Sequence, residues 1–234
     1  MILCIETATS LCSVALCDRD RVVIARDSGA ERSHAARLTL LIEQVLRETG
    51  TRASDLEAVA VSRGPGSYTG LRIGVSTAKG IAWGASIPVI GVDTTLSMFH
   101  GYIEMAGESY TNGQNDLFCP VIDARRMEVY YAVYDEEGNV VKPISAAVVD
   151  SSFPPGLKDA GRVFFFGDAV AKCRETIKRN NSVFDEGFRI SAASMWKPAY
   201  EALGKKKFED LAYFEPFYLK DFLATKPVKN ILGN

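Results

Sequence analysis

Two stretches of this chain share one layout, and that layout restricts the fold to very few architectures. Met1 to Ile5 is an apolar run closing on Glu6. Thr7-Ala8-Thr9-Ser10 turns, and Leu11 to Cys17 and Val22 to Ala25 read as two further strands joined by Asp18-Arg19-Asp20. Later, Phe118 to Ile122 closes on Asp123, Ala124-Arg125-Arg126 turns, Glu128 to Tyr134 alternates, and Glu136-Glu137-Gly138-Asn139 leads into Val140 to Val149. Strand-like runs separated by such short polar turns form antiparallel hairpins. Glu6 and Asp123 therefore hold matching places at the ends of two leading strands.

The remaining pattern is helical and parallel. Ser33 to about Glu48 carries Leu38, Leu41, Ile42, Val45 and Leu46 at the spacing of one buried helix face, with Ser33 as cap. The strand Leu56 to Val61 leads through a glycine-rich loop into a helix from Thr69 to Ala85. Ile87 to Val92 is another strand, and Thr94 to Met105 another helix. The polar segment Gly107 to Asp116 reads as a link. Val163 to Phe166 is a buried strand followed by a helix reaching Lys178. A last helix is expected near Ala192 to Lys206, before the aromatic tail Tyr213 to Leu219. The expectation is an α/β, two-lobed, actin-like (ribonuclease H-like) fold. Residues 1–106 make a complete N-terminal lobe, and residues 107–234 a reduced second lobe with a C-terminal tail. In that architecture the first turn of each lobe approaches a nucleotide phosphate, and an acid at the strand end orders a cation or water; fold alone does not fix function.

Composition removes several classes. The 234 residues carry 27 Lys and Arg against 29 Asp and Glu, a formal net charge of −2. A protein that grips nucleic acid alone shows a basic excess or stripe, so the totals argue against this chain as the main RNA-binding surface. Cys4, Cys12, Cys17, Cys119 and Cys173 are scattered, without a C-x-x-C pair, and read as reduced buried thiols. The first residues enter a strand directly, and no apolar run reaches the ~20 residues of a membrane span. A cytoplasmic protein with no membrane contact is expected.

Ser62-Arg63-Gly64-Pro65-Gly66-Ser67-Tyr68-Thr69-Gly70-Leu71-Arg72-Ile73-Gly74 is the most specific motif. Its spacing matches neither the dinucleotide fingerprint nor a P-loop. Together with Ile2-Leu3-Cys4-Ile5-Glu6-Thr7-Ala8-Thr9-Ser10, Asp123-Ala124-Arg125-Arg126, Glu128-Val129-Tyr130, Gly167-Asp168 and Pro216-Phe217-Tyr218-Leu219-Lys220, it makes the whole chain resemble the TsaB family. This chain departs from the family pattern at Glu6, where Asp is usual, at Ala35-Ala36, where Ser-Glu is usual, and at Lys220, where Arg is common. The resemblance implies a non-catalytic subunit in forming threonylcarbamoyladenosine beside the anticodon of tRNA. It would heterodimerise with the catalytic paralogue TsaD, with the ATPase TsaE joining, tRNA touched indirectly and a homodimer when alone. No cofactor is implied.

Each candidate residue has a functional and a plain reading. Gly70 and Gly74, one turn apart, continue through Thr77 and Ile81 into a strip narrow enough for a close helix partner, or for the chain's own sheet. The partner-facing set is taken as His34, Leu38, Leu41, Tyr68, Gly70, Arg72, Gly74, Thr77 and Ile81. Arg63, Tyr68 and Arg72 suit an interface anchor, an RNA backbone contact, or ion pairs with surface acids. Glu6, Thr7, Thr9, Ser10 and Asp123 form a candidate vestigial phosphate site, or hydroxyl-rich turns and a local acid–arginine pair. The alternative function is an autonomous actin-like phosphotransferase or ATPase using Glu6, Thr9 and Asp123. His34 and His100 cannot pair one turn apart, so no metal and no catalytic residue is assigned, and Ser10, Ser67 and Cys12 lack the spacing of a nucleophile triad.

Overall fold

Strand β1 (Ile2–Glu6) is buried along its whole length, so both of its faces must be covered. Leu3 and Ile5 join one apolar cluster with Leu38, Val45, Val61 and Val75; Ile2 and Cys4 join another with Ala192, Met195 and Ala199. Those two clusters lie on opposite faces of the first sheet. The computed structural model of the chain describes residues 1–28, 34–107, 115–157 and 160–220. Ser33, most of the polar link and the side chain of His34 lie outside what is described.

β1 pairs antiparallel with β2 (Cys12–Cys17), and β2 with β3 (Val22–Ser28). Helix α1 (His34–Thr49) then carries the chain over to β4 (Ala58–Gly64), which runs parallel to β1. Helix α2 (Tyr68–Ala85) does the same for β5 (Val89–Asp93), parallel to β4. Parallel neighbours need such crossovers, whereas antiparallel ones need only turns. The strand order is β3-β2-β1-β4-β5.

The second sheet repeats this plan. Strands β6 (Leu117–Asp123), β7 (Glu128–Tyr134) and β8 (Val140–Val148) form the meander, and β9 (Val163–Phe166) and β10 (Ser182–Asp185) add in parallel. The order is β10-β9-β6-β7-β8, which is the first order with each strand replaced by its counterpart. Helix α4 (Val170–Thr176) links β9 to β10. The described residues between β8 and β9 form no helix, so the counterpart of α1 is missing there, as the expected reduction requires. β10 had no strand signal in the sequence, because its four residues, Ser-Val-Phe-Asp, are too short and too polar to show a period.

Helices α3 and α5 are exchanged between the sheets. Helix α3 (Thr94–Ala106) follows β5 but packs Met98, Phe99 and Tyr102 against Phe118, Tyr134, Phe164 and Phe166 of the second sheet. Tyr102 stacks on Phe166 with centroids 4.1 Å apart. A 3-10 turn (Ala192–Met195) and helix α5 (Trp196–Gly204) follow β10 but cover the first sheet, against Ile2, Cys4, Ala15, Ala58 and Ile90. The single helix expected over 192–206 is thus a tight turn followed by a shorter helix. Trp196 Nε1 donates to Glu104 Oε2 at 3.1 Å, tying α5 to α3.

Helices α1 and α2 correct three residues of the expected partner face. The buried stripe of α2 is Gly70, Leu71, Gly74, Val75, Ala78 and Ala82, which faces its own sheet. A Cβ at Gly74 would collide with Thr7 Oγ1 and press on Val61 Cγ2 at 3.4 Å. Gly74 therefore lacks a side chain so that α2 can lie close on β1 and β4. Leu38 of α1 is likewise fully buried in that core. Leu38, Gly70 and Gly74 spend their surface inside the chain and offer none to a partner. Leu41 and Ile81 are partly buried at the edge of the same cluster.

Gly80 lies on the opposite side of α2, where an added Cβ meets nothing within 4 Å. Gly74→Ala is expected to destabilise the fold by about 1–3 kcal/mol through overpacking. Gly80→Ala is expected to stabilise it by up to about 1 kcal/mol, the helix-propensity difference. Urea-unfolding midpoints of the two variants measure both; a Gly74→Ala midpoint equal to wild type would contradict this packing.

Candidate functional site

Four segments meet in a cleft of about 600 Å³ between the sheets: the turn after β1, the glycine loop, the β6–β7 turn and the C-terminal segment up to Lys220. The strands deliver two of these directly. β1 and β6 are the central strands of their sheets, and the loops at strand ends are where parallel sheets place sites.

The first turn commits three amides at or beside it to side chains of the chain. Ala8 N–H donates to Glu6 Oε1 at 2.6 Å, Thr7 N–H to Ser62 Oγ at 3.3 Å, and Leu11 N–H to Thr9 Oγ1 at 3.3 Å. The Ala8 carbonyl accepts from Ser67 N–H at 2.6 Å. A Cβ on Gly66 would collide with Ala8, and a Cβ on Gly64 (φ +121°) would meet Leu71 Cδ1 at 3.2 Å and the Phe217 carbonyl carbon at 3.4 Å. The glycines of the motif let the loop seat between the first turn and the C-terminal segment. Glu6 and Thr7 are fully buried beneath the cleft floor, whereas Thr9, Ser10 and Asp123 line the cleft itself. Burial pushes the Glu6 carboxyl up to about 7, against hydrogen bonds from Ala8, Ser62 and Thr7 that favour its charged form. Among the described residues Glu6 Oε2 and Thr7 Oγ1 have no hydrogen-bond partner.

The second turn is also internally committed at its acid. Asp123 pairs with Lys172 of α4, not with the arginines of its own turn. Its Oδ1 also accepts from Arg125 N–H at 3.0 Å, and its own N–H donates to Asp168 Oδ1 at 2.9 Å. Burial raises the Asp168 carboxyl, with the neighbouring Asp123 charge adding to it. Lys172 sits 49 residues from Asp123, so no local pattern could reveal the pair. Among the described residues no three His, Cys, Asp or Glu side chains gather as a metal cluster.

The C-terminal segment straps both sheets. Glu209 N–H donates to the Val89 carbonyl at 2.9 Å, and Phe217 N–H to the Arg63 carbonyl at 2.6 Å. Phe214 buries in the first core, and Lys79 Nζ holds the carbonyls of Ala212 and Phe214. Tyr218 packs on Tyr68 with centroids 4.9 Å apart, and the Arg72 guanidinium lies 4.6 Å from the other ring's centre. Lys220 pairs with Glu128 of β7 and closes the strap. Arg63 takes the plain reading: Nε donates to Asp93 at 2.7 Å and Nη1 lies 3.7 Å from Glu209.

The outward side of α2 presents Thr69, Arg72, Ser76, Gly80 and Trp83, with Thr77 half-exposed beside them. Trp83 is 78% exposed, and Leu40 on the adjoining α1 is 62% exposed. The sequence held this signal in its helical phase. With Gly74, Ala78 and Ala82 inside, positions 76, 80 and 83 must point away.

Two five-stranded sheets of matching order, each built on a meander and two crossovers and facing across a cleft, define an actin-like protein. The chain belongs to the family of TsaD, tRNA N6-adenosine threonylcarbamoyltransferase, whose family model matches residues 23–223. It is 41% identical over 138 residues to the tRNA threonylcarbamoyladenosine biosynthesis protein TsaB of Escherichia coli, covering 59% of this chain and 56% of that protein. With the TsaB of Haemophilus influenzae the match is 34% over 56% of this chain and 52% of that one, so the chain spans about half the length of these curated relatives. The Bacillus subtilis TsaB is 27% identical over 94% of this chain and 93% of its own. YeaZ from Pseudomonas aeruginosa superposes with a TM-score of 0.77 at 26% identity, covering 93% of this chain and 99% of that one. No described helix is long and apolar enough to cross a membrane.

Glu6 predicts a pH dependence of stability. The folded chain keeps a proton on Glu6 that the unfolded chain releases above its ordinary value of 4.5. Its contribution is therefore greatest below that value, falls as pH rises towards 7, and is level above it. The difference corresponds to about 3 kcal/mol. Glu6→Gln, which stays neutral and keeps the acceptor for Ala8, is expected to unfold at higher urea than wild type at about pH 8 and to lose this slope. An unchanged slope in the variant would show that Glu6 is not the titrating group.

Proposed function

We propose that this chain is a non-catalytic subunit in the formation of threonylcarbamoyladenosine beside the anticodon of tRNA. It acts by pairing with the catalytic paralogue TsaD. The observation that carries the reading is the outward face of α2, where Ser76 and Gly80 leave the backbone bare beside the exposed Trp83 and Leu40. A helix needs a reason to keep an exposed glycine, which costs about 1 kcal/mol relative to alanine. Close approach of a second backbone supplies that reason.

The identity of the partner follows from kinship. A chain that matches the TsaD family over most of its length shares that fold, so the two proteins carry equivalent α1–α2 faces. Equivalent faces pair about a pseudo-twofold axis, and the same face serves a homodimer when the paralogue is absent. Tyr68, Arg72, Thr77, Leu41 and Ile81 border this face, and Tyr68 and Arg72 are of the residue types that anchor interfaces. The non-catalytic role is supported by the first turn, where the Ser62 and Glu6 side chains take the Thr7 and Ala8 amides and Glu6 is buried, and by Asp123, whose charge Lys172 takes. The ATPase TsaE joins the assembled pair, and the site of action is cytoplasmic.

Gly80→Arg tests the face without disturbing the core, since nothing of the chain lies within 4 Å of the added Cβ. The variant is expected to unfold with the wild type while retaining TsaD on an affinity column at least roughly tenfold less well, a change of about 1.4 kcal/mol. Retention at wild-type yield would place the contact elsewhere.

A further inference from the structure

Arg125 and Arg126 sit at the cleft mouth in a conformation that needs explaining. Their φ angles are 68° and 51°, two consecutive left-handed residues in the β6–β7 turn. Such positions suit Asn or Gly, and a long side chain there costs on the order of 1 kcal/mol. Strain of this kind gathers at functional sites.

The two guanidiniums also carry uncompensated charge. Both residues are exposed, and among the described residues neither side chain has a hydrogen bond or an ion pair. The acids around them are already engaged: Asp123 with Lys172 and Glu128 with Lys220. Asp168, the remaining acid of the cleft, is exposed; its Oδ1 receives the Asp123 amide, and among the described residues it forms no ion pair with either arginine. The cleft therefore presents two free cationic forks beside the rings of Tyr68, Tyr130 and Tyr218.

We infer that this mouth binds a phosphodiester of an RNA strand, held by Arg125 and Arg126, with a base against the tyrosine rim. Two planar guanidiniums match the oxygens of a single phosphate. Tyrosine faces accept any base by stacking. A metal-bound triphosphate suits the same cleft less well, because the Thr7 and Ala8 amides and the Asp123 carboxylate are taken. The cleft's volume of about 600 Å³ accommodates a nucleotide unit. Tyr68 and Arg72 lie in the first two turns of α2, so a strand lying here would run beside the proposed partner face. An overall charge near zero is compatible with this, since two arginines make a local contact and not a broad basic surface. The choice of RNA rests on the function proposed above.

The test compares wild type with the double variant Arg125→Gly, Arg126→Gly, in which glycine suits the left-handed turn and the fold is retained. Each is assembled with TsaD and titrated with a fluorescein-labelled anticodon stem-loop RNA, followed by anisotropy at several salt concentrations. The variant is expected to bind roughly tenfold more weakly, with the slope of log affinity against log salt reduced by about 1, the share of one phosphate contact. Equal affinity and equal slope, with TsaD still retained, would overturn this inference and leave the proposed function standing. Failure of the wild-type chain to retain TsaD would overturn the function on which it rests. Displacement of the RNA from wild type by AMP, with no loss of RNA affinity in the variant, would assign the cleft to a free nucleotide and overturn the strand.

Discussion

The exchange of α3 and α5 between the two sheets is the constraint on which the rest of this structure depends. Each helix follows the last strand of one sheet and buries its apolar face on the other. Met98, Phe99 and Tyr102 complete the second core, while Met195 and Ala199 complete the first. Neither sheet can cover both faces of its central strand without a segment from the other. The cleft is consequently held between two mutually dependent bodies, with Ser13 accepting from Ala192 N–H at 2.8 Å and Trp196 reaching Glu104. The strap over the β5 edge, ending at Lys220 on Glu128, adds a third tie across the opening.

Within that frame the residues without side chains have two separate uses. Gly64, Gly66 and Gly74 let three neighbouring segments approach more closely than a Cβ would allow. This internal use seats the loop on the first turn and seats α2 on Thr7. Gly80 has no such neighbour. A bare helix surface flanked by Trp83 is left over, and the proposed pairing with a protein of the same fold accounts for it. The same close seating spends the Ala8 carbonyl on Ser67 N–H, while the Ser62 and Glu6 side chains take the Thr7 and Ala8 amides.

Much of the fold was legible because hairpin turns, strand-end acids and helix periodicity are local. Glu6 and Asp123 do occupy equivalent ends of β1 and β6, and the two strand orders coincide. The errors arose where the deciding neighbour was distant in sequence. Gly74 and Gly80 look alike in a glycine-rich helix, and only the position of Thr7 separates the inner from the outer one. Leu38 fits a partner stripe and a core stripe equally well until Val14 and Val61 are placed around it. Asp123 has arginines two and three residues away, yet its partner is Lys172. The exchange of α3 and α5 leaves no mark on either helix, since each shows an ordinary apolar face whichever sheet it covers.

Hydroxyl-radical footprinting with TsaD present tests the central claim most directly. Trp83, at 78% exposure, and Leu40, at 62%, are open in the free chain. The account predicts strong protection of both from oxidation in the complex, while Val140 and Val148 of the second sheet react as before. Oxidation of Trp83 and Leu40 at the free-chain rate, with protection confined to the second sheet, would contradict it.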